Sequence, residues 1–188
     1  MAEDQRIVQT RAAVLAAALT LIAEAGLEGA TIERISERSG VARSTIYRRW
    51  PEPAQLYVDA LFPVTVVAEQ RPTGDLAADL GHYLDDYAHR LNDPTYLGAL
   101  VAIIARAARD PEFAALHRAM VDTRRSRAAA LLSAAQASGT ARPDLSLDDA
   151  VEAVHSPFLY IRLIRHDPIT ADDQARLLAG LVARFGSP

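Results

Sequence analysis

A chain of 188 residues, half of them hydrophobic, is long enough to bury a sizeable core and too apolar to be disordered. The absence of Cys excludes a disulfide framework, a thiolate zinc site and a cysteine nucleophile together. The formal charge is −4, every one of the 20 basic residues is Arg, and the acidic start lacks a signal-peptide core. No run of about 18 apolar residues stands out, so we expect a soluble cytoplasmic protein with no membrane partner.

From Arg6 to Ala25 the positions Val14, Leu15, Ala18, Leu19, Leu21 and Ile22 recur at helical spacing, and Gly26 supplies a C-terminal stop. Thr31 is a good N-cap for a short second helix whose Ile32 and Ile35 make a one-sided apolar face, and Ser39-Gly40-Val41 supplies a turn. A third helix over about 42–49 puts Ile46 and Trp50 on one side, while Arg43 with Tyr47 and Ser44 with Arg48 form i,i+4 pairs on the other. Between residues 34 and 49 stand Arg34, Arg38, Arg43, Arg48 and Arg49 against Glu37 alone. Positive charge thus collects where a helix-turn-helix would meet phosphates. A merely solvated charged face would leave the glycine turn and the placement of Tyr47 and Trp50 without a cause.

Pro53 sits near the first position of a fourth helix, which runs on through Tyr57, Val58, Leu61 and Phe62 and should kink or break at Pro63 before resuming over 64–67. Arg71 to Gly74 reads as a loop and Asp75 as a cap. The helix over 76–91 then places Leu76, Leu80, Tyr83, Leu84, Tyr87 and Leu91 on one stripe. Asp93-Pro94 restarts the chain. Residues 96–108 read as a more uniformly apolar helix, with Leu97, Leu100, Val101, Ile103 and Ile104, expected to be buried on most sides. After Asp110-Pro111 a long helix reaches about Ala137, and its polar middle, Thr123 to Arg127, either rises to the surface or places an Arg inside. Ser138-Gly139 stops it. Ser146 caps the first of two closing helices, 147–166 and 171–185. The first is apolar nearly all round and needs two partners.

From about Arg11 through Leu56 the sequence resembles the TetR family of transcriptional repressors. The residues that carry the likeness are Glu24-Ala25-Gly26, Ala30-Thr31-Ile32, Gly40-Val41-Ala42 and Ser44 through Pro51. The resemblance implies an all-α fold, with an N-terminal three-helix DNA-binding head over 1–50 and a helical effector-binding and dimerisation body over 51–188. It implies a homodimer on a palindromic double-stranded DNA operator, acting as a repressor released by a small effector. Arg43, Ser44 and Arg48 would then reach base edges or nearby phosphates, with Thr45 and Tyr47 on the backbone, and Arg6 or Arg11 are candidates for a further phosphate. Pro53 departs from the family, which commonly has Lys at about that position. No DNA contact is carried over to it, and Glu52 adds repulsion.

The resemblance also implies that the last two helices form a four-helix bundle with their copies, through Val154, Phe158, Ile161, Leu178, Leu181 and Val182. A mainly apolar effector, as yet unknown, would lie among Tyr83, Tyr87, Tyr96, Phe113, His117, Met120 and Phe158, with Arg124 or Arg127 as further polar anchors. Read without the family, the same aromatic stripe is ordinary core.

Nothing in the chain marks catalysis. His82, His89, His117, His155 and His166 show no metal-binding spacing and are expected to be solvated. Asp85-Asp86, Asp148-Asp149 and Asp172-Asp173 are sequence neighbours that point apart, the last two at helix N-termini. No GxGxxG, GxxxxGK[ST] or GxSxG occurs, so we expect no cofactor, metal or enzymatic activity. The rival reading is an all-helical enzyme or small-molecule carrier whose basic segment is incidental.

Overall fold

The computed structural model describes residues 2–61 and 72–187, with the side chains of residues 2–5 and Met120 outside that description. The expected break at Pro63 and the resumed helix over 64–67 lie outside the described residues. Within them the chain is all-α: α1 Ala2–Gly29, α2 Ile32–Ser39, α3 Arg43–Arg49, α4 Pro53–Leu61, α5 Leu76–Asn92, α6 Pro94–Ala107, α7 Pro111–Ser138, α8 Leu147–Leu159 and α9 Ala171–Phe185. The first three helices are the helix-turn-helix head, and the helical body follows. By its contacts the chain groups into two compact units, residues 1–68 with 94–121 and residues 69–93 with 122–188.

In the first unit α1 is the central element and packs against α2, α4 and α6. Its expected stop is real but local: Gly26 takes φ 68°, open to glycine without steric cost, and one more turn follows to Gly29. Val14, Leu15, Ala18, Leu21 and Ile22 are buried with Ile32 and Ile35 of α2, Leu56 and Leu61 of α4, and Ala99, Leu100 and Ile103 of α6. Each large side chain among them contributes about 1.5–3 kcal/mol of burial. The stretch 6–29 is long and apolar enough by composition to cross a bilayer, contrary to the sequence reading, but its apolar stripe belongs to this core. α6 is less enclosed than expected. Val101 and Ile104 remain 48% and 38% exposed, because only the stripe of Tyr96, Ala99, Leu100 and Ile103 is turned inward.

In the second unit α5, α8 and α9 pack on one another, with Leu80, Leu84, Leu91, Val151, Val154, Phe158, Leu181 and Phe185 inside. Leu131, Leu132 and Ala135 of α7 are buried there too. The entry to α5 is fixed by Asp79, a buried carboxylate that accepts from Thr73 N (3.1 Å), Thr73 Oγ1 (2.8 Å) and Gly74 N (3.0 Å). Asp75, Ser146 and Thr170 cap α5, α8 and α9, and Thr170 forms a reciprocal capping box with Asp173.

The expected helix over 147–166 does not run through as one α-helix. Pro157 has no N–H to give the preceding turn, and the chain widens into a π-helical turn, Tyr160–Ile164, which His166 leaves at φ 61°. The widened turn carries Arg162 to the end of α5, where Nε donates to Leu91 O at 3.0 Å and Nη1 to Asp167 O at 2.7 Å.

Candidate nucleic-acid interface

Local chemistry builds α2, its turn and α3 as a rigid pair. The Thr31 hydroxyl accepts from Arg34 N, and Gly40 takes φ 69° and donates to Ser36 O at 3.0 Å. Ser36 Oγ then crosses the turn to Val41 O at 2.8 Å. On α3, Ile46 is fully buried and Trp50, the residue that ends the helix, is 2% exposed. Trp50 Nε1 donates to Asp59 Oδ2 at 2.8 Å, which ties the end of α3 to α4, and Tyr57 Oη donates to Ala30 O at 3.0 Å. With that side fixed inward, Arg43, Ser44, Tyr47 and Arg48 emerge together on the outer side, and Thr45 is half-buried at its edge.

The charges are less free than their number implies. Arg34 Nη1 donates to Gly29 O at 2.6 Å, Arg38 pairs with Glu24 at 2.8 Å, and Arg43 pairs with Glu33 at 3.4 Å. Glu33 stands one residue outside the segment over which the positive charge collects, and Glu24 comes from α1, so neither enters a tally over 34–49. The Glu33 carboxyl is held below its ordinary value, first by its own backbone N–H and then by Thr31 and Arg43. Arg48 pairs with no acid among the described residues, and Arg49 lies 5.5 Å from the Trp50 ring. Arg11 is built into the head: its side chain is 13% exposed and stands 3.9 Å from Asp59, so it is not the open phosphate ligand that the sequence left as an option. Arg6 is exposed.

The residues singled out for an effector fall into both units. Tyr96 and Phe113 are buried in the first, as is most of His117, whose imidazole burial holds toward the neutral form. The Met120 side chain lies outside the described residues. Tyr83, Tyr87 and Phe158 come together in the second unit around His155, a residue expected only to be solvated. Its Nδ1 donates to Val151 O at 2.7 Å, so in the neutral ring Nε2 accepts from Tyr83 Oη, also at 2.7 Å. Burial lowers the His155 pKa, opposed by the bond to Val151 and reinforced by the charges of Arg124 and Arg125. Tyr83 and Tyr87 meet the imidazole edge-on at 5.6 and 5.2 Å, and the Arg124 guanidinium lies 5.0 Å over Tyr87. His155 and His117 therefore correct the expectation of solvated histidines, because each is carried on an inward-turned helix face. His82, His89 and His166 are exposed, as is Arg127, whereas Arg124 is half-buried.

Of the residues named for a subunit interface, Val154 and Phe158 are fully enclosed in their own unit, Ile161 and Leu181 are buried, and Leu178 and Val182 are half-buried. An open groove runs between α8 and α9, with Ala153, Pro157, Ile161, Leu177 and Leu181 on its walls. Tyr160 and Ile164 stand 56% and 65% exposed. No group of three or more His, Asp or Glu arranged for a metal ion occurs among the described residues.

Comparison with known proteins bears on both ends of the chain. Residues 14–60 match the model for bacterial regulatory proteins of the tetR family, and residues 71–181 match that for a tetracyclin repressor-like C-terminal domain. The HTH-type transcriptional regulator YdeS of Bacillus subtilis strain 168 is 26% identical over 166 residues, which cover 85% of this chain and 81% of YdeS. The crystal structure of the TetR family transcription regulator SCO0332 superposes with a TM-score of 0.73 at 29% identity, covering 93% of this chain and 97% of that one. A transcriptional regulator from Saccharomonospora viridis, crystallised in complex with choline, shares the fold at a TM-score of 0.63 and 17% identity, over 95% of this chain and 98% of that one.

Proposed function

This chain belongs to the TetR family of DNA-binding transcriptional regulators, and from that premise we propose that it is a homodimeric repressor of a palindromic operator, released by a small molecule. The observation that carries the reading is the outer side of α3. Arg43, Ser44, Tyr47 and Arg48 project together from a helix whose other side is locked by Ile46 and Trp50. Such a helix is shaped for the major groove, and Arg48, which pairs with no acid among the described residues, is suited to a guanine edge or a phosphate. Residues 1–50 bind DNA in this reading, and residues 51–188 bind effector and partner. Pro53 opens α4 without an N–H, so that helix start contributes no backbone donor to DNA at its first position.

Dimerisation through α8 and α9 is supported by the groove between them and by the exposed Tyr160 and Ile164 on the turn that follows α8. Ile161, Leu178, Leu181 and Val182 supply apolar contact, while Val154 and Phe158 shape the face from within. Two copies of one surface around a twofold axis would set two heads on successive half-sites. For the effector, the cluster of Tyr83, Tyr87, His155 and Arg124 offers aromatic faces with hydrogen-bonding groups, the usual composition of a small-molecule site. Such a molecule must bind the DNA-incompetent state better than the competent one, by about 1–3 kcal/mol for a useful switch. The protein works in the cytoplasm, where the operator is, as a regulator and not an enzyme.

Selection of duplexes from a randomised pool, followed by affinity measurements over a range of salt, tests the DNA reading. An enriched palindrome is expected, with Arg48→Ala costing about 1–3 kcal/mol and relaxing preference at one base position. A protein that enriches no sequence, or an Arg48→Ala variant with unchanged affinity and preference, would overturn this assignment. Substrates of the genes beside the mapped operator are then the compounds to test for release.

A further inference from the structure

Arg43 is the first residue of α3 and Glu33 lies in the first turn of α2, with Nη1 of one 3.4 Å from Oε1 of the other. Both side chains are open to solvent, at 61% and 53% exposure, so the pair stands on the surface from which Ser44, Tyr47 and Arg48 also project. An exposed ion pair adds little to stability. Its consequence lies in what the guanidinium can do next.

The contact with Glu33 engages Nη1 and leaves the Nε and Nη2 hydrogens as a donor edge directed elsewhere. Two kinds of DNA group compete for that edge. A phosphate is an anion, and a carboxylate beside Arg43 repels it by the same Coulomb term that attracts the arginine. The O6 and N7 atoms of guanine are neutral acceptors that take two parallel N–H donors, and a carboxylate at the far side of the guanidinium opposes them far less. Of the arginines of α2, Arg38 is likewise paired with a carboxylate, that of Glu24, and Arg34 is held by the Gly29 carbonyl.

We propose that Glu33 is a positioning residue for sequence reading: it holds Arg43 off the phosphate backbone, presents its open edge to a base, and so raises the ratio of specific to non-specific DNA binding. The inference rests on the reading that Arg43 faces DNA. Glu33 itself touches no base in this scheme. It acts by making the wrong contact of Arg43 less favourable than the right one, which is how discrimination is gained without added affinity.

The test uses the full chain and two probes, a duplex of random sequence and a duplex enriched from a randomised pool. Glu33→Gln should bind the random duplex about two- to five-fold more tightly per head, the range expected for releasing one exposed ion pair. Its plot of log affinity against log salt should steepen by about 0.9 per head as Arg43 gains a phosphate. Preference at the base that Arg43 reads should relax, and the ratio of enriched to random affinity should fall. Simple loosening of α2 would lower both affinities instead, and that result overturns the proposal. In an Arg43→Gln background, Glu33→Gln should have no further effect. An equal rise in that background would mean that removal of a negative charge acts generally and not through Arg43, and the proposal fails. No response to Glu33→Gln while Arg43→Gln loses affinity refutes the brace alone. An Arg43→Gln protein with unchanged affinity, salt slope and base preference refutes the placement of Arg43 at DNA, and the brace with it.

Discussion

Trp50 shows how a residue with no expected contact to DNA controls the surface proposed to make one. It is 2% exposed, and its Nε1–H donates at 2.8 Å to Asp59 Oδ2, on a side chain only 17% exposed. Trp50→Phe keeps an aromatic ring and removes the donor. The charged carboxylate loses a hydrogen bond worth about 1.5–3 kcal/mol, and among the described residues it keeps Arg11 at 3.9 Å. The smaller ring forfeits about 1 kcal/mol of burial and packing. We expect a destabilisation of about 2.5–4 kcal/mol, read from urea unfolding followed by far-UV circular dichroism, because the variant loses the chain's one Trp as a fluorophore. Asp59→Ala, combined with it in a double-mutant cycle, should return a coupling of about 1 kcal/mol or more. A loss below about 1 kcal/mol, or additivity in the cycle, would show that the bond does not anchor the end of α3.

Two further expectations concern the helices beyond α4. His155 and His117 have folded pKa values pushed down chiefly by burial, so unfolding takes up protons once the pH falls below their ordinary value near 6.5. Stability is fully present above that value and falls as pH drops toward the folded pKa values, a window above that of the carboxylates. His155→Phe should flatten the change in melting temperature between about pH 7 and 5, and a variant with the wild-type slope would remove His155 as a cause. The interface proposal is best probed at Ile164, which is 65% exposed: Ile164→Arg should leave the chain folded but shift it to a monomer by light scattering. Phe158→Asp should unfold it, because that side chain is fully enclosed. A wild type that is already monomeric at micromolar concentration defeats the bundle of α8 and α9.

What the sequence made legible was local. Thr31, Gly40, Ile46 and Trp50 announce caps, turn and buried side within spans of a few residues, so the head could be read from spacing alone. The partners of its charges could not. Glu24 pairs with an arginine 14 residues away and Glu33 with one 10 residues away, and only the folded helices bring them together. His155 meets Tyr83 across 72 residues and is for the same reason invisible to periodicity. On α6, composition gave apolarity but not the number of neighbours, which is why Val101 and Ile104 were expected inside. Spacing ran one helix through Pro157, and the π-helical turn at Tyr160–Ile164, with Arg162 bonded to carbonyls of Leu91 and Asp167, became visible only in the fold.

The order in which the first unit is assembled along the chain has a consequence for biosynthesis. α1 packs against α6, and α6 ends at Ala107, after the whole of the head and of α5 has been made. On the ribosome α1 to α3 therefore emerge early with one face of α1 still uncovered. Its core is closed only when more than half of the 188 residues have been translated. A nascent chain cut short before α6 would present the apolar face of α1 to solvent, a species for chaperones and proteases and not a small autonomous DNA binder.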